Sequence, residues 1–316
     1  MKIKYLFYIL LCLVMLSCQD GNKEVIETWE NGYDKKVRIN ERSFSYETNY
    51  YEDGNIESTG IIAEEKKEKT WVYYFPNGKR KKKVIYRQGK PFGKVGYFFE
   101  NGKVKKVAEY DDTGLKTGYW ISYSETGNIV AKGNYLQGRK IKKWSYYNLE
   151  GSLERVEQLD NFGRNEIVNI YNEEGELVRH SEYYKPNGLK LEYYKMDSLT
   201  NKISYRMYHQ NGNIKFEGNK LNSREIGLWT FWYRNGIKKA RGEFMENIDK
   251  FKHDNIVKIN SKISSKLPLQ RAFSGIKKGK WEYWNSKGKK VAEIESKIKG
   301  DKIVDKIIYI SKDLGI

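Results

Sequence analysis

Cysteine and histidine, the side chains most often used as metal ligands and nucleophiles, are scarce in this 316-residue chain. There are two cysteines, Cys12 and Cys18, and three histidines, His180, His209 and His253. So few residues leave little from which to build a Cys/His metal cage, a disulfide framework or a histidine-based catalytic centre. We interpret each histidine as a surface or packing residue. The sequence predicts no enzyme, no catalytic residue, no metal site and no cofactor.

Lysine and arginine are the abundant reactive side chains, with 59 of them against 41 Asp and Glu and a formal charge of +18. They concentrate in four runs, Lys79 to Lys83, Lys103 to Lys106, Arg139 to Lys143 and Lys277 to Lys290. Such an excess attracts anions, which indicates anionic lipid headgroups, acidic polymers or acidic proteins as partners. The alternative is that the lysines keep an extended sheet soluble and block pairing at its edges.

Glycines that mark turns recur at a fixed period. Gly54, Gly78, Gly102, Gly127, Gly151 and Gly175 are spaced by 24, 24, 25, 24 and 24 residues, and Gly188, Gly212 and Gly236 by 24 and 24. Most follow Asn or Asp, as in Asn77-Gly78, a pair that accepts positive φ at both corners of a type I′ turn. Second glycines such as Gly89 and Gly138 fall at the half-period, so each repeat is predicted as strand, tight turn, strand, looser turn.

Aromatic residues occupy fixed positions before each turn glycine, counted here as negative numbers. Position −4 is aromatic throughout, and tryptophan fills position −7 at Trp71, Trp120, Trp144, Trp229 and Trp281. A hairpin of this size cannot bury such rings alone, so neighbouring copies must pair. We predict an all-β fold, an elongated single-layer antiparallel sheet of stacked β-hairpins of about 24 residues. Positions −7 and −5 share one strand face, and the −5 residues are predicted as an open binding stripe: Tyr73, Tyr97, Tyr146, Phe231 and Tyr283.

Two irregularities interrupt the period. Only 13 residues separate Gly175 from Gly188, so either a half-repeat is inserted or the two kinds of turn exchange roles, with Asp197 to Asn201 as the displaced turn. Gly236 and Gly288 are 52 residues apart. The predicted boundaries are a cleaved signal peptide at 1–17, a tether and degenerate first hairpin at 18–44, the repeat array at 45–244, an insertion or decayed repeat at 245–275, and a terminal repeat with capping strands at 276–316.

The N-terminus carries an export signal. Lys2 and Lys4 precede an apolar stretch from Tyr5 to Leu16, which is short for a bilayer span and typical of a signal-peptide core. It ends in Ser17-Cys18, which resembles the bacterial lipobox, where the cysteine is lipidated and becomes the first residue. An ordinary secretory signal is the alternative. The resemblance implies anchoring at Cys18 to the bacterial envelope, and Gln19-Asp20 favours the outer membrane over the inner.

The repeat itself resembles a known family. The run Trp144-x-x-Tyr147-x-x-x-Gly151, and its copies from Trp71 to Gly78 and from Trp229 to Gly236, are similar to the MORN repeat in the bacterial variant grouped with the YwqK-type antitoxin component. The resemblance covers about 45–244 and 276–295. It implies a non-enzymatic scaffold that binds a protein partner, and the family label adds a toxin as one candidate.

Three functions therefore remain open. The first is a lipid-anchored envelope scaffold for protein–protein binding. The second is an antitoxin or immunity protein that neutralises a toxin, and the third a binder of envelope glycan or anionic headgroups. Aromatic and basic strands would also suit nucleic acid, but a lipidated envelope protein meets little of it, and no nucleic-acid partner is expected.

Overall fold

The computed structural model describes residues 22–184, 188–195, 201–246, 256–257, 267–269, 274–299 and 302–312. The predicted signal peptide, Cys18 and His253 lie outside these ranges, as do residues 197–200 of the predicted displaced turn.

All regular elements in the described ranges are β-strands, as predicted. Their bounds are β1 Lys23–Thr28, β2 Asp34–Asn40, β3 Ser45–Tyr50, β4 Ile56–Ala63, β5 Lys66–Tyr74, β6 Arg80–Arg87, β7 Lys90–Phe98, β8 Val104–Tyr110, β9 Lys116–Tyr123, β10 Ile129–Leu136, β11 Arg139–Tyr147, β12 Leu153–Leu159, β13 Asn165–Tyr171, β14 Leu177–Tyr183, β15 Leu189–Lys195, β16 Lys202–Tyr208, β17 Ile214–Leu221, β18 Arg224–Trp232, β19 Lys238–Phe244, β20 Ile256–Val257, β21 Lys277–Trp284, β22 Lys290–Lys299 and β23 Lys302–Ile310.

The chain divides into two compact units. Unit 1 comprises Met1–Ser152 and Asn161–Gly163, and unit 2 comprises Leu153–Asp160 and Arg164–Ile316. In unit 1, β1 to β11 follow one another as antiparallel neighbours. In unit 2, β12 to β19 do the same, and β21 to β23 continue the ladder. The predicted antiparallel ladder of hairpins is confirmed within each unit.

The Asn-Gly turns differ from the prediction. In the described turns only the glycine of each pair has a positive φ, 77° at Gly78 for instance, whereas a type I′ turn needs two. Phe75 N donates to Lys79 O at 2.8 Å and Gly78 N donates to Phe75 O at 2.9 Å. This is a three-residue loop with the glycine in the left-handed region, as in a G1 bulge. The name glycine loop is used below for these turns.

Several of the half-period turns, predicted as the looser ones, are the tight two-residue turns. Gln88 and Gly89 have φ of 49° and 78°, and Gln137 and Gly138 have 48° and 78°. Two positive φ values in succession are the mark of type I′. The prediction was wrong because an Asn-Gly pair fits both two-residue and three-residue loops, so the dipeptide alone does not determine the length of the loop.

At the short interval between Gly175 and Gly188, the glycine loops change from one end of the strands to the other. Gly175 lies between β13 and β14, and Gly188 lies between β14 and β15, so successive turns of the meander carry them. Successive turns of an antiparallel meander lie at opposite ends of the strands. The glycine loops of unit 2 at Gly188, Gly212 and Gly236 therefore lie together at the end of the strands opposite to Gly175. Of the two alternatives left open by the sequence, the geometry matches an exchange of the two kinds of turn.

In the long interval before Gly288 the chain leaves the ladder after β19 and rejoins it at the same point before β21. The name excursion is used below for residues 246–275. β19 pairs directly with β21, and Met245 N donates to Ile276 O at 2.8 Å. Glu225 holds the returning chain, because its carboxylate accepts from Ser274 N at 3.0 Å and from Gly275 N at 3.1 Å. Within the excursion, β20 pairs in parallel with β23.

Tryptophan at position −7 builds the centre of the buried face. The Trp71 and Trp144 rings lie directly over Gly60 and Gly133 of the preceding strand, where an added Cβ would stand 2.4 and 2.3 Å from ring atoms. Trp144 Nε1 donates to Asn134 O at 3.1 Å, so the buried indole N–H is satisfied. The same stack recurs in unit 2, with Trp229 over Gly218 and Trp281 over Gly242.

Candidate binding surface

The five residues predicted as an open binding stripe differ in burial. Phe231 and Tyr283 are 2% and 0% exposed and belong to a buried cluster of unit 2 that also contains Leu267 of the excursion. These two residues therefore act as core, and the prediction that they line an open stripe was wrong. Tyr73, Tyr97 and Tyr146 of unit 1 are half-buried. A binding role for these three stays a prediction.

Tyrosine and lysine alternate directly across the strands of unit 1. Tyr73 of β5 is paired with Lys82 of β6, Lys82 with Tyr97 of β7, and Tyr97 with Lys106 of β8. Lys82 Nζ lies 4.1 Å from the centroid of the Tyr73 ring, and Lys106 Nζ lies 4.0 Å from that of Tyr97. Both are cation–π contacts. They cover ring faces on which a sugar would otherwise stack.

A second line of the same residue types flanks this row. Tyr86 Oη lies 3.0 Å from Tyr73 Oη, and Tyr110 Oη lies 3.2 Å from Tyr97 Oη. Burial and these hydrogen bonds raise the pKa of Tyr86 and of Tyr97, so the hydroxyls stay neutral and do not offset the lysine charges. The name Lys–Tyr face is used below for one set: Lys67, Tyr73, Lys82, Tyr86, Tyr97, Lys106, Tyr110 and Lys116.

The lysines of this face lack acidic partners. Among the ion pairs of the described residues none involves Lys67, Lys82, Lys106 or Lys116. Residues 66–143 contain 20 Lys and Arg but only 6 Asp and Glu. Burial and the charges of Lys67, Lys81 and Lys106 lower the pKa of Lys82, and burial with neighbouring lysines does the same for Lys106. An anion bound here would relieve this repulsion.

A three-residue arrangement of lysine, tryptophan and tyrosine recurs, and sequence reasoning missed it. Lys67 Nζ lies 4.1 Å from the Trp71 ring centroid and donates to Tyr73 Oη at 2.9 Å. Lys four residues before Trp and Tyr two residues after it is a readable signal, because residues separated by an even number of positions lie on the same strand face. A bulge lies between the lysine and the tryptophan, at position −9. The bulge residue has positive φ, 55° at Lys69. The other copies are Lys140 with Trp144 and Tyr146, and Lys277 with Trp281 and Tyr283.

The two described histidines have structural contacts. His180 Nδ1 lies 2.7 Å from Asn169 Oδ1, and its ring stacks on Tyr193 with centroids 4.9 Å apart. His209 Nε2 lies 3.2 Å from Trp232 O, at the end of β18. In the described part of the chain no group of three or more His, Cys, Asp or Glu side chains could hold a metal ion. No helix within those residues is long and apolar enough to cross a bilayer.

Two segments of the chain are similar to a known family of repeats. Residues 67–88 and 116–137 match the profile of the MORN repeat variant family. These segments cover β5 with β6 and β9 with β10, each pair joined by a glycine loop. The match and the ladder together indicate a repeat scaffold for binding. No curated protein matches the sequence.

Three solved structures are distantly similar to this chain. The TcdB2-TccC3-TEV crystal structure is 9% identical with a TM-score of 0.21, over 91% of this chain and 16% of that one. The Photorhabdus luminescens Tc holotoxin pore is 9% identical with a TM-score of 0.19, over 87% and 17%. This chain thus spans less than a fifth of either. A porin-like protein from Bacteroides uniformis is 9% identical with a TM-score of 0.13, over 90% and 92%. At these TM-scores the likenesses carry no argument.

Proposed function

We propose that this protein is a non-enzymatic repeat scaffold, lipid-anchored at Cys18 to the bacterial envelope, that binds an acidic protein partner through the Lys–Tyr face of unit 1. The observation that supports it is the cross-strand row from Tyr73 to Lys106, in which the lysines have no carboxylate partner among the described residues. Tyrosine rings supply contact area at low conformational cost, and the lysines select for negative charge.

Two sets of four substitutions test the face. Lys67, Lys82, Lys106 and Lys116 are changed to Gln in one variant, and the exposed Lys79, Lys83, Lys90 and Lys94 in the control. Both lose four charges, so only position distinguishes them. The soluble chain from residue 19, which lacks the signal peptide and Cys18, is used to capture proteins from envelope extracts. The face variant is expected to lose an acidic protein that wild type and control retain. Equal capture by all three chains, or no enriched protein, would refute the proposed binding face.

The anchor has its own test. Labelling of cells with a palmitate analogue is expected to mark the wild-type protein and leave Cys18→Ala unlabelled and released from membranes, because two or more acyl chains are needed for stable anchoring. Separation of inner and outer membranes then shows which one holds the labelled protein, and we expect the outer. Membrane retention of an unlabelled Cys18→Ala chain would contradict the lipid anchor.

A further inference from the structure

Two cavities occupy the same place in the repeat, one in each unit. The cavity of unit 1 has a volume of about 250 Å³ and includes Tyr51, Tyr73, Tyr74 and Lys81 in its wall. The cavity of unit 2, called here the unit 2 cleft, has a volume of about 760 Å³ and includes His209, Phe231, Trp232 and Lys239. Counted from the glycine of the corresponding loop, the two sets fall at the same positions, −3, −5, −4 and +3.

The equivalent clefts differ in charge. At position +3 of two successive glycine loops, the cavity of unit 1 has Glu57 and Lys81, which are opposite in sign. The unit 2 cleft has Lys215 and Lys239 at these places. Within the described residues neither lysine forms an ion pair. Burial and the charge of Lys215 lower the pKa of Lys239. The wall of the first cavity, which also includes Lys82, thus contains one carboxylate, whereas the wall of the second contains none.

Apolar side chains line much of the unit 2 cleft, beside His209 and the two lysines. Met207, Phe216 and Phe231 line it from strands β16, β17 and β18, and Pro268 and Leu269 line it from the excursion. Leu267, which precedes them, is 4% exposed and packs in the core cluster, so this wall is anchored. Pockets of a few hundred to a thousand Å³ with apolar walls and a few polar groups are typical of small-molecule sites.

We propose that the unit 2 cleft binds a small amphipathic carboxylate, whose anionic head lies between Lys215 and Lys239 and whose apolar body contacts Met207, Trp232 and Leu269. Lys215 is exposed and Lys239 is half-buried, and neither forms an ion pair within the described residues, so an anion between them would offset their mutual repulsion. A neutral ligand of the same shape would leave the lysines unpaired. This site is independent of the Lys–Tyr face and of the lipid anchor.

Calorimetric titration of the soluble chain from residue 19 with dodecanoate, below its micelle concentration, tests the site. Dodecanoate is expected to bind at one site, and dodecanol about tenfold more weakly or not at all. The Lys215→Met and Lys239→Met variants should each lose about tenfold in affinity, while Lys239→Arg retains binding. Lys81→Met, the same change in the equivalent cavity of unit 1, is the control and should bind like wild type.

Each outcome of these titrations either supports or overturns the proposed carboxylate site. Lys215 is exposed, so Lys215→Met is expected to fold, and circular dichroism verifies this. Equal affinity for acid and alcohol, or equal losses in Lys81→Met and Lys239→Met, would overturn the proposal. Absence of dodecanoate binding would also overturn the proposal for alkyl acids. A parallel titration with the aromatic acid 1-naphthoate shows whether the cleft instead binds a carboxylate with a flat apolar body. If neither acid binds, the cleft is not a carboxylate site.

Discussion

At the scale of single residues, the contact between tryptophan and glycine decides where each hairpin packs. Gly133 lies under Trp144 so closely that any side chain would enter the indole ring. Trp120 lacks this arrangement, and its Nε1 is buried without a hydrogen-bond partner among the described residues. It instead packs its ring 5.4 Å from that of Trp144. The glycine is therefore required by the ring above it, although it lies in the middle of a strand.

Gly133→Ala tests this stack. The new Cβ would lie 2.3 Å from Trp144 ring atoms, so the strand or the ring must move, and we expect a loss of about 2 kcal/mol in the free energy of unfolding. Gly96→Ala is the control, because its Cβ would lie 3.5 Å from the Phe98 ring, an ordinary contact. Urea denaturation should show Gly96→Ala near wild type. Equal effects of the two changes would contradict the account.

Glu192 provides a test by pH. Its side chain is 4% exposed and accepts from Tyr194 Oη at 2.7 Å, and also from Tyr208, Arg179 and Arg206. Burial alone would raise the pKa of this carboxyl, but the hydrogen bonds from Tyr208 and Tyr194 and the arginine charges hold it below its usual value of 4.5. A depressed folded-state pKa contributes stability above the unfolded pKa and loses it as the pH falls through the folded value.

Glu192→Gln is therefore expected to cost about 1.5 kcal/mol at pH 7, because the hydrogen bonds from Tyr194, Tyr208 and two half-exposed arginines no longer end on a charged group. The gap between wild type and variant should narrow as the pH falls below 4.5 and the wild-type carboxylate takes up its proton. Urea midpoints from pH 7 to pH 3 measure this. The exposed Glu154→Gln serves as the control. A gap that stays constant or widens in acid would show that the carboxylate charge is not the source of the stability.

At the scale of elements, asparagine side chains join one hairpin to the next. Asn235 Oδ1 accepts from Ile237 N at 3.2 Å within its own loop, while its Nδ2 donates to Ser286 O of the next loop at 3.1 Å. Asn211 makes the same two bonds, to Asn213 N and to Arg234 O. Asparagine is thus selected for having both a donor and an acceptor, since only the glycine after it has a positive φ.

Asn235→Asp should separate the two bonds. The carboxylate can still accept from Ile237 N, but it cannot donate to Ser286 O, and we expect a loss of about 1 kcal/mol in unfolding free energy. Asn77→Asp is the matched control, since Asn77 shows the loop bond to Lys79 N but no donation to the next loop among the described contacts. Thermal unfolding that ranks Asn77→Asp as the more damaging change would be inconsistent with a link between hairpins.

The sequence predicts the hairpins well because the turn glycines and the aromatic residues recur at the same spacing in every copy, and a hairpin depends on residues close together in the chain. It predicts the binding residues poorly, because exposure depends on contacts far along the chain. Phe231 is buried partly by Leu267, which belongs to an excursion without the repeat pattern. Lys82 lies between Tyr73 and Tyr97 only because of the strand register. Lysine runs in the sequence show the charge, and pairing decides which lysines share a face.

At the scale of the whole molecule, positive charge is concentrated in one stretch. Residues 66–143 carry a net charge of +14 out of the chain's +18. They lie in unit 1, on and around β5 to β11. Lys82 and Lys106 are two strands apart, which is roughly 10 Å at about 4.8 Å per strand. At low ionic strength charges at that distance repel each other, because the Debye length is about 30 Å at 0.01 M.

Salt should therefore stabilise these strands. Raising NaCl from 0.01 M to 0.5 M shortens the Debye length to a few Å, so the repulsion between Lys82 and Lys106 is screened. We expect the protection of β6 and β8 amides against hydrogen exchange to rise with NaCl in the wild type. The rise should be smaller in Lys82→Met/Lys106→Met, whose strands start from higher protection. The control Lys83→Met/Lys94→Met removes two exposed charges, one from β6 and one from β7, which lies between β6 and β8, and should retain most of the salt effect. A salt response that is equal in both variants would show that net charge, and not the crowding of lysines on the Lys–Tyr face, sets the stability of this region.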